Sequence, residues 1–405
     1  MKTFAIAIAL FGVTAAVVAT YPRDTNGVVN NHGNTSPIVE LVGQQTPMAQ
    51  RPKIDVVFAL DTTGSMGGLI EAAKEKIWSI ATTMSQAEPA PEIRIGLVAY
   101  RDRGDTYVTQ VHDLSTDLDS LYATLMDFAA AGGGDGPESV NQALYDAVNG
   151  ISWSTDQNAY KVVFLVGDAP PHMDYQDDVK YPQTLAQAKG KGIVINTIQA
   201  GSQADTRIAW LQIAQAGAGK YAQVDATGNA VAIATPFDER LAALSSELDE
   251  TRMYYGSREE KAKWQAKQDA ARKLHESASV SSRARRATFN ATKSGEANLL
   301  GESELVDDVA AGRVDMGALP VEALPAPLQS MTADERHAVV EKQAERRQQL
   351  KKEIEALSAK RSAYLEEKVE EKGGASASLD RKLYDAIRSQ AADKGLHYEE
   401  DALAY

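Results

Sequence analysis

The sequence contains no cysteine. That excludes a disulfide staple and a lipid-modified cysteine at a processing site, so stability has to come from a packed core. Basic residues are in deficit: 42 lysines and arginines face 56 aspartates and glutamates, a net charge of −14. Such an acidic balance argues against nucleic acid and anionic membrane surfaces as partners. The apolar run at the start, Phe4 to Val18, carries no charge but is shorter than the ~20 residues a spanning helix needs. Lys2 precedes it, the small residues Val17, Val18 and Ala19 end it, and Tyr21, Pro22, Arg23 and Asp24 follow. It reads as a secretory signal peptide over residues 1–19, cleaved after Ala19. The expectation is a soluble exported chain, periplasmic or extracellular, with no stable membrane insertion after the signal is removed.

With 43% hydrophobic residues, the remaining length suffices for one domain of ordinary size plus an extension. Residues 20–52, rich in Asn, Gly, Thr, Pro and Gln, read as a flexible linker. From residue 53 to 237 apolar runs alternate with helical patterns, the signature of an α/β fold with a doubly wound sheet. Strands are expected at Ile54 to Leu60, Ile93 to Tyr100, Val108 to Leu114, Val162 to Val166, Ile193 to Gln199 and Tyr221 to Val224. Helices are expected at Leu69 to Ser85, Leu118 to Ala129, Glu138 to Asn149, Pro182 to Lys189 and Thr206 to Ala216. Only Arg101 to Tyr107 separates the second and third strands, which makes the third an antiparallel edge in a mostly parallel six-stranded sheet.

The run Val56 to Leu60 ends in Asp61-Thr62-Thr63-Gly64-Ser65. A buried strand here delivers Asp61, Thr63 and Ser65, at alternate positions, to its own carboxyl end. Carboxylate and hydroxyl oxygens are the ligands that Mg²⁺, Mn²⁺ or Ca²⁺ accepts. Taken alone, the same letters also fit a strand-to-helix turn in which Asp61 or Ser65 caps the helix beginning near Gly67. Two further loops bear on that choice. Gly132 to Gly134 leads through Asp135, Gly136 and Pro137 to Glu138, expected at a helix start with Pro137 near the first turn. The strand Phe164 to Val166 ends in Gly167-Asp168-Ala169-Pro170-Pro171-His172. In open α/β sheets the carboxyl ends of central strands meet at a crevice, so Asp61 and Asp168 are expected to face each other.

These three loops, in this order over residues 53–237, resemble a von Willebrand factor type A domain with its metal-ion-dependent adhesion site. The runs Ala99 to Tyr107 and Gly167 to His172 resemble an exported bacterial subgroup of that family. The resemblance implies a divalent cation bound by Asp61, Thr63 and Ser65 from the first loop, Asp135 or Glu138 from the second, and Asp168 from the third. It also implies a protein partner at the metal's open position. Where the family's commonest second loop offers a threonine hydroxyl, this chain offers Asp135 and Glu138. The extra carboxylates would neutralise the ion more fully, so that it is held without a partner and draws an acidic partner residue less strongly. Against that stands the reading in which Asp135 only braces the Gly-rich turn.

Enzyme templates each lack a residue. An aspartyl-nucleophile phosphatase needs an aspartate where Thr63 stands, a phosphate-cradling loop needs a lysine absent from Gly64 to Gly67, and a serine-hydrolase elbow needs glycine at Thr63. His172 is placed at the crevice rim or capping a turn, and Asp174, Asp177 and Asp178 in a solvated acidic loop. Arg103-Gly104-Asp105 forms a hairpin turn and a rim for partner contacts.

After Phe237 the composition turns to Ala, Glu, Lys, Arg and Gln. Amphipathic helices are expected over 238–254 and 257–277, and Arg283, Arg285, Arg286 and Lys293 over 278–300 read as a basic linker face. Residues 301–330, with Pro320, Pro325 and Pro327, read as extended or turn. Thr332 and Glu335 form a capping box for a long helix to about Lys372. Its seam includes Gln343, Arg347 and Arg361, charged or polar positions that disfavour a long coiled coil and favour packing on other helices or on a partner. A last helix runs from about Leu379 to Ala392. The functional expectation is an exported, non-enzymatic protein-binding module acting through the metal face, the C-terminal helices, or both. The alternatives are a Mg²⁺-dependent hydrolase with His172 as base, and a scaffold whose helices alone do the binding.

Overall fold

The apolar run Val56 to Leu60 makes Lys53–Asp61 (β1) the centre of a sheet covered on both faces, and the one charge buried before it, Asp55, is paired with Arg94. In the computed structural model, which describes residues 51–134, 136–224, 233–371 and 379–399, β1 pairs in parallel with Glu92–Tyr100 (β2) on one side. On its other side it pairs with Tyr160–Gly167 (β4), in which every residue is buried. Thr109–Ser115 (β3) closes the β2 edge antiparallel; Ile193–Ala200 (β5) and Ala218–Val224 (β6) extend the other edge in parallel. The order is β3-β2-β1-β4-β5-β6, the expected doubly wound, mostly parallel α/β sheet with one antiparallel edge strand.

Gly67–Ser85 (α1) and Leu118–Asp127 (α2) cover one face of the sheet. Val140–Asn149 (α3), Tyr181–Gly190 (α4) and Ala204–Ala216 (α5) cover the other. Register places the site: Leu60 pairs with Val166, so Asp61 and Asp168 leave neighbouring strands at the same edge.

The rest of the chain is a helical region: Asp238–Asp249 (α6), Arg258–Ser277 (α7), Val280–Ala291 (α8), Glu296–Leu300 (α9), Leu305–Ala310 (α10), Ala333–Glu371 (α11) and Leu379–Ala391 (α12). Three single 3₁₀ turns lie between Met316 and Leu328, in the stretch read as extended or turn, and Leu305, Met316, Leu324 and Leu328 pack there into a small core of their own. Residues 278–300 are not a basic linker face. They fold into α8 and α9, because Arg286 finds Asp119 and Asp249 as buried partners while Ala284, Ala287 and Phe289 supply an apolar stripe. The charged seam positions of α11 are likewise satisfied within the chain. Arg347 makes a two-point pair with Glu304, both contacts at 2.9 Å, and Arg361 pairs with Asp238 at 2.7 Å.

The extension is not an appendage. Leu383, Ile387, Ala391 and Leu396, together with Leu274 and Phe289, belong to the same apolar core as Ile54, Phe164 and Trp78. On α12, Gln390 accepts a hydrogen bond from the Tyr160 hydroxyl at 2.7 Å and exchanges amide bonds with Asn196 on β5. The described residues all belong to one compact unit. The signal peptide and most of the linker expected before it lie outside the described residues, as do 225–232, 372–378 and 400–405.

Candidate metal centre

Asp61, the last residue of β1, is fully buried. Its Oδ1 accepts hydrogen bonds from the Thr63 backbone N–H at 2.8 Å and the Thr63 hydroxyl at 2.6 Å; its Oδ2 is buried with no partner. The capping alternative is not realised, since no side chain caps the 3₁₀ turn Gly64–Met66 or the α1 that continues it. Thr63 is buried beside Asp61, whereas Ser65 is exposed, and Asp168 is half-buried just past β4.

The Gly-rich loop approaches this turn backbone to backbone. Gly64 N–H donates to Gly132 O at 3.1 Å, and Ala131 N–H to Thr62 O at 3.1 Å. Gly132 and Gly133 sit at φ of 77° and 76°, a left-handed conformation natural to glycine, and a Cβ on Gly133 would lie 3.3 Å from that of Thr63. Asp135 lies outside the described residues.

Glu138 is not in the first turn of α3, which begins two residues later, at Val140. Its backbone is drawn into a short parallel bridge instead: its N–H donates to Pro170 O at 2.9 Å and its carbonyl accepts from His172 N–H at 3.1 Å. The second and third loops are therefore stitched together at Glu138. Its side chain is almost wholly buried and its Oε2 has no partner.

Burial pushes the Asp61 carboxyl up to about 7, with the Asp168 charge adding to it against the opposing Thr63 hydrogen bonds. Burial also pushes Glu138 up to about 9, helped by the charges of Asp61, Asp102, Asp105 and Asp168. The Tyr100 hydroxyl beneath them is raised well above its ordinary value by burial and by Asp61, Glu138 and Asp168. These carboxyls repel one another in a place where two of their oxygens have nothing to bind. Among the described residues no three His, Cys, Asp or Glu side chains form a group able to hold an ion by themselves, so hydroxyls would have to complete the set. Orphaned buried carboxylate oxygens beside Thr63 and Ser65 fit a hard divalent cation, whose ligands are oxygens.

The segment after β2 is a rim at its tip, where Arg103 and Gly104 are exposed in a turn, and goes deeper on either side. Arg101 and Asp102 are buried, and the Asp105 carboxylate turns inward to accept from Gly133 N–H at 3.1 Å. Arg103 pairs with Asp177 and Asp178 and lies over the Tyr175 ring. His172 is buried too, stacked on Tyr175 with ring centroids 4.0 Å apart; its Nδ1 is 2.8 Å from Asp174 Oδ1 and its Nε2 is 3.3 Å from Asp102 Oδ2. The missed signal was the density of charge directly after the buried run Ile95 to Tyr100, where charges that stay buried must be paired.

Residues 55–235 match the family described as von Willebrand factor A domain. Among curated proteins, the chain is 27% identical over 125 residues to a putative ariadne-like RING finger protein of Acanthamoeba polyphaga mimivirus, covering 31% of this chain and 12% of that protein. It is 28% identical over 125 residues to the alpha-protein kinase vwkA of Dictyostelium discoideum, covering 29% and 19%. It is 38% identical over 93 residues to von Willebrand factor A domain-containing protein 7 of Rattus norvegicus, covering 23% and 10%. The chain thus spans less than a fifth of the length of each. Among solved structures it is similar to proximal thread matrix protein 1 from the mussel byssus with zinc occupied MIDAS motif, at TM-score 0.34 and 15% identity over 43% of this chain and 42% of that one. A second is the SpRpn10 VWA domain, at TM-score 0.33 and 14% identity over 43% and 88%.

Proposed function

We propose, from the von Willebrand factor A domain at residues 55–235, that this protein is an exported, non-enzymatic module that binds a protein partner through a divalent cation, Mg²⁺ or else Mn²⁺ or Ca²⁺. Asp61, Thr63, Ser65, Glu138 and Asp168 would hold the ion, and Asp135 is the further second-loop candidate. The observation that carries this reading is the pair of buried, unpartnered carboxylate oxygens, Asp61 Oδ2 and Glu138 Oε2, in a crevice shared with Asp168. Leaving a buried carboxyl oxygen unsatisfied is costly, and a cation relieves both at once. A bound dication supplies a coordination position that an acidic side chain of a partner can enter. The crowded carboxylates favour retention of the ion in the unpartnered protein.

The hydrolase alternative asks His172 to act as base toward the metal loops. His172 instead lies against Tyr175 with its Nδ1 bonded to Asp174 and its Nε2 3.3 Å from Asp102 without a hydrogen bond, and none of its hydrogen bonds goes to Asp61, Thr63, Ser65 or Asp168, which favours binding over hydrolysis.

Calorimetry of the chain with Mg²⁺, Mn²⁺ and Ca²⁺ tests the cation, and a crosslinking pull-down from the source's envelope fraction, with and without chelator, tests the partner. Binding lost in Asp61→Ala and a chelator-sensitive partner are expected. No binding of any of the three ions at millimolar concentration, or a capture profile unchanged by Asp61→Ala, overturns the reading.

A further inference from the structure

Two buried charges next to the site lie outside the proposed ligand set, yet between them they reach all three loops that would hold the ion. Arg101 Nε donates to Thr62 O at 3.1 Å and its Nη2 to Ala129 O at 2.9 Å, so one planar fork spans the first loop and the lead-in to the Gly-rich loop. Its guanidinium lies over the Tyr107 ring, 4.5 Å from the centroid, and the Tyr107 hydroxyl is 2.7 Å from Thr62 Oγ1. Asp102 Oδ1 accepts from the Ser139 hydroxyl at 2.9 Å, and Oδ2 from the Tyr175 hydroxyl at 2.8 Å. Ser139 directly follows Glu138, and Tyr175 lies in the loop after Asp168. One carboxylate therefore joins the second loop to the third.

Desolvating a charge is costly, and apolar side chains of similar volume would hold the loops against the sheet at least as well. What apolar packing does not supply is directed hydrogen bonds of fixed length to three separate loops. We infer that Arg101 and Asp102 are positioning residues of the cation site, setting the spacing of its three loops without touching the ion. This deepens the metal reading above and rests on it. Outer partners of this kind typically change metal affinity by about 10- to 100-fold when lost.

The test compares the full chain with Arg101→Lys, whose single ammonium cannot span both carbonyls, and with Asp102→Asn, which keeps the shape and loses the charge. Gln390→Ala is the control: it removes the contacts of α12 with Tyr160 on β4 and Asn196 on β5 and should lower thermal stability without touching the loops. Mg²⁺ and Ca²⁺ isotherms are measured for each, with metal-free melting alongside. The expected result is Mg²⁺ binding weakened by about tenfold or more in Arg101→Lys and Asp102→Asn with a changed Mg²⁺ to Ca²⁺ ratio, and affinity within about twofold of wild type in Gln390→Ala. If wild type binds and the two variants bind within about twofold of it, or if Gln390→Ala weakens binding equally, the inference is overturned while the metal reading stands. If wild type binds none of Mg²⁺, Mn²⁺ and Ca²⁺, the metal reading falls and the inference with it.

Discussion

Arg286 and Asp119 are both fully buried and joined by two hydrogen bonds of 2.6 Å, although 167 residues separate them in the chain. Arg286 belongs to α8 and Asp119 to α2 under the sheet, and a second carboxylate, Asp249 of α6, completes the charge on the arginine. Removing one member leaves an uncompensated buried charge. Arg286→Ala is therefore expected to lower the unfolding free energy by about 3–5 kcal/mol, measured by chemical denaturation of the metal-free chain. A loss under 1 kcal/mol would mean that the pair is solvated.

The second expectation concerns α12. Ile387 and Leu383 pack in the core that holds Phe164 and Ile54, so the sheet's α1 face depends on a helix some 150 residues beyond β6. Ile387→Ala should cost about 2–5 kcal/mol through the cavity it opens. A chain ending at residue 237 should be insoluble or lack a cooperative melt, because the apolar surface covered by α12 and α8 would face water. Deleting the extension thus cannot separate metal-face binding from helix-mediated binding, and point substitutions must do so. A monomeric fragment 53–237 with a sharp thermal transition would refute this dependence.

How much of this could be read from letters follows from the range of each interaction. β1 and β4 were legible because a strand buried on both faces carries a long apolar run, Val56 to Leu60 and Val162 to Val166, and Asp61 and Asp168 because a carboxylate following such a run is conspicuous. Glu138 was misplaced: Pro137 beside an acidic residue has the local look of a helix start, but a bridge to Pro171, 33 positions on, takes the backbone elsewhere. The arginine of 278–300 that matters most, Arg286, looked solvent-facing for the same reason, since its partners lie on α2 and α6. Local composition carries no record of a distant carboxylate.

Two groups of carboxyls give opposite pH dependences. Burial alone would raise Asp119 and Asp249, but the charge and hydrogen bonds of Arg286 outweigh it and hold both below the usual carboxylate range. A depressed folded-state pKa contributes stability above the unfolded value, near 4, that is lost as pH falls below it. Asp61 and Glu138 behave in reverse. The metal-free folded state keeps their protons, so stability is full below about pH 4 and declines as pH rises toward about 7 for Asp61 and about 9 for Glu138. Chelated wild-type protein should show a denaturation midpoint that falls on both sides of a maximum near pH 4–5. Arg286→Ala should lose the acid limb, and saturating Mg²⁺ should flatten the alkaline one. A midpoint unchanged from pH 5 to 9 without metal would contradict the crowding of Asp61, Glu138 and Asp168.

Asp61→Asn separates a functional carboxylate from a structural one by the sign of its effect. A paired structural aspartate stabilises the fold, and removing it costs stability. Asp61 at pH 8 is above its folded value of about 7, so without a cation its charge is buried, half-bonded to Thr63 and opposed by Asp168. Asparagine keeps the shape and an oxygen for the Thr63 N–H while discarding that charge. The metal-free variant is expected to be more stable than wild type by about 0.5–2 kcal/mol, the gain commonly found when a functional site is relieved of its strain. The same variant should lose the stabilisation of about 2.7 kcal/mol that wild type gains at a cation concentration 100 times its Kd. Melting curves at pH 8 with chelator and with Mg²⁺ read both. If Asp61→Asn is instead less stable without metal and still shifts with Mg²⁺, then the aspartate is a bracing residue of the turn and the ion, if bound, is held elsewhere.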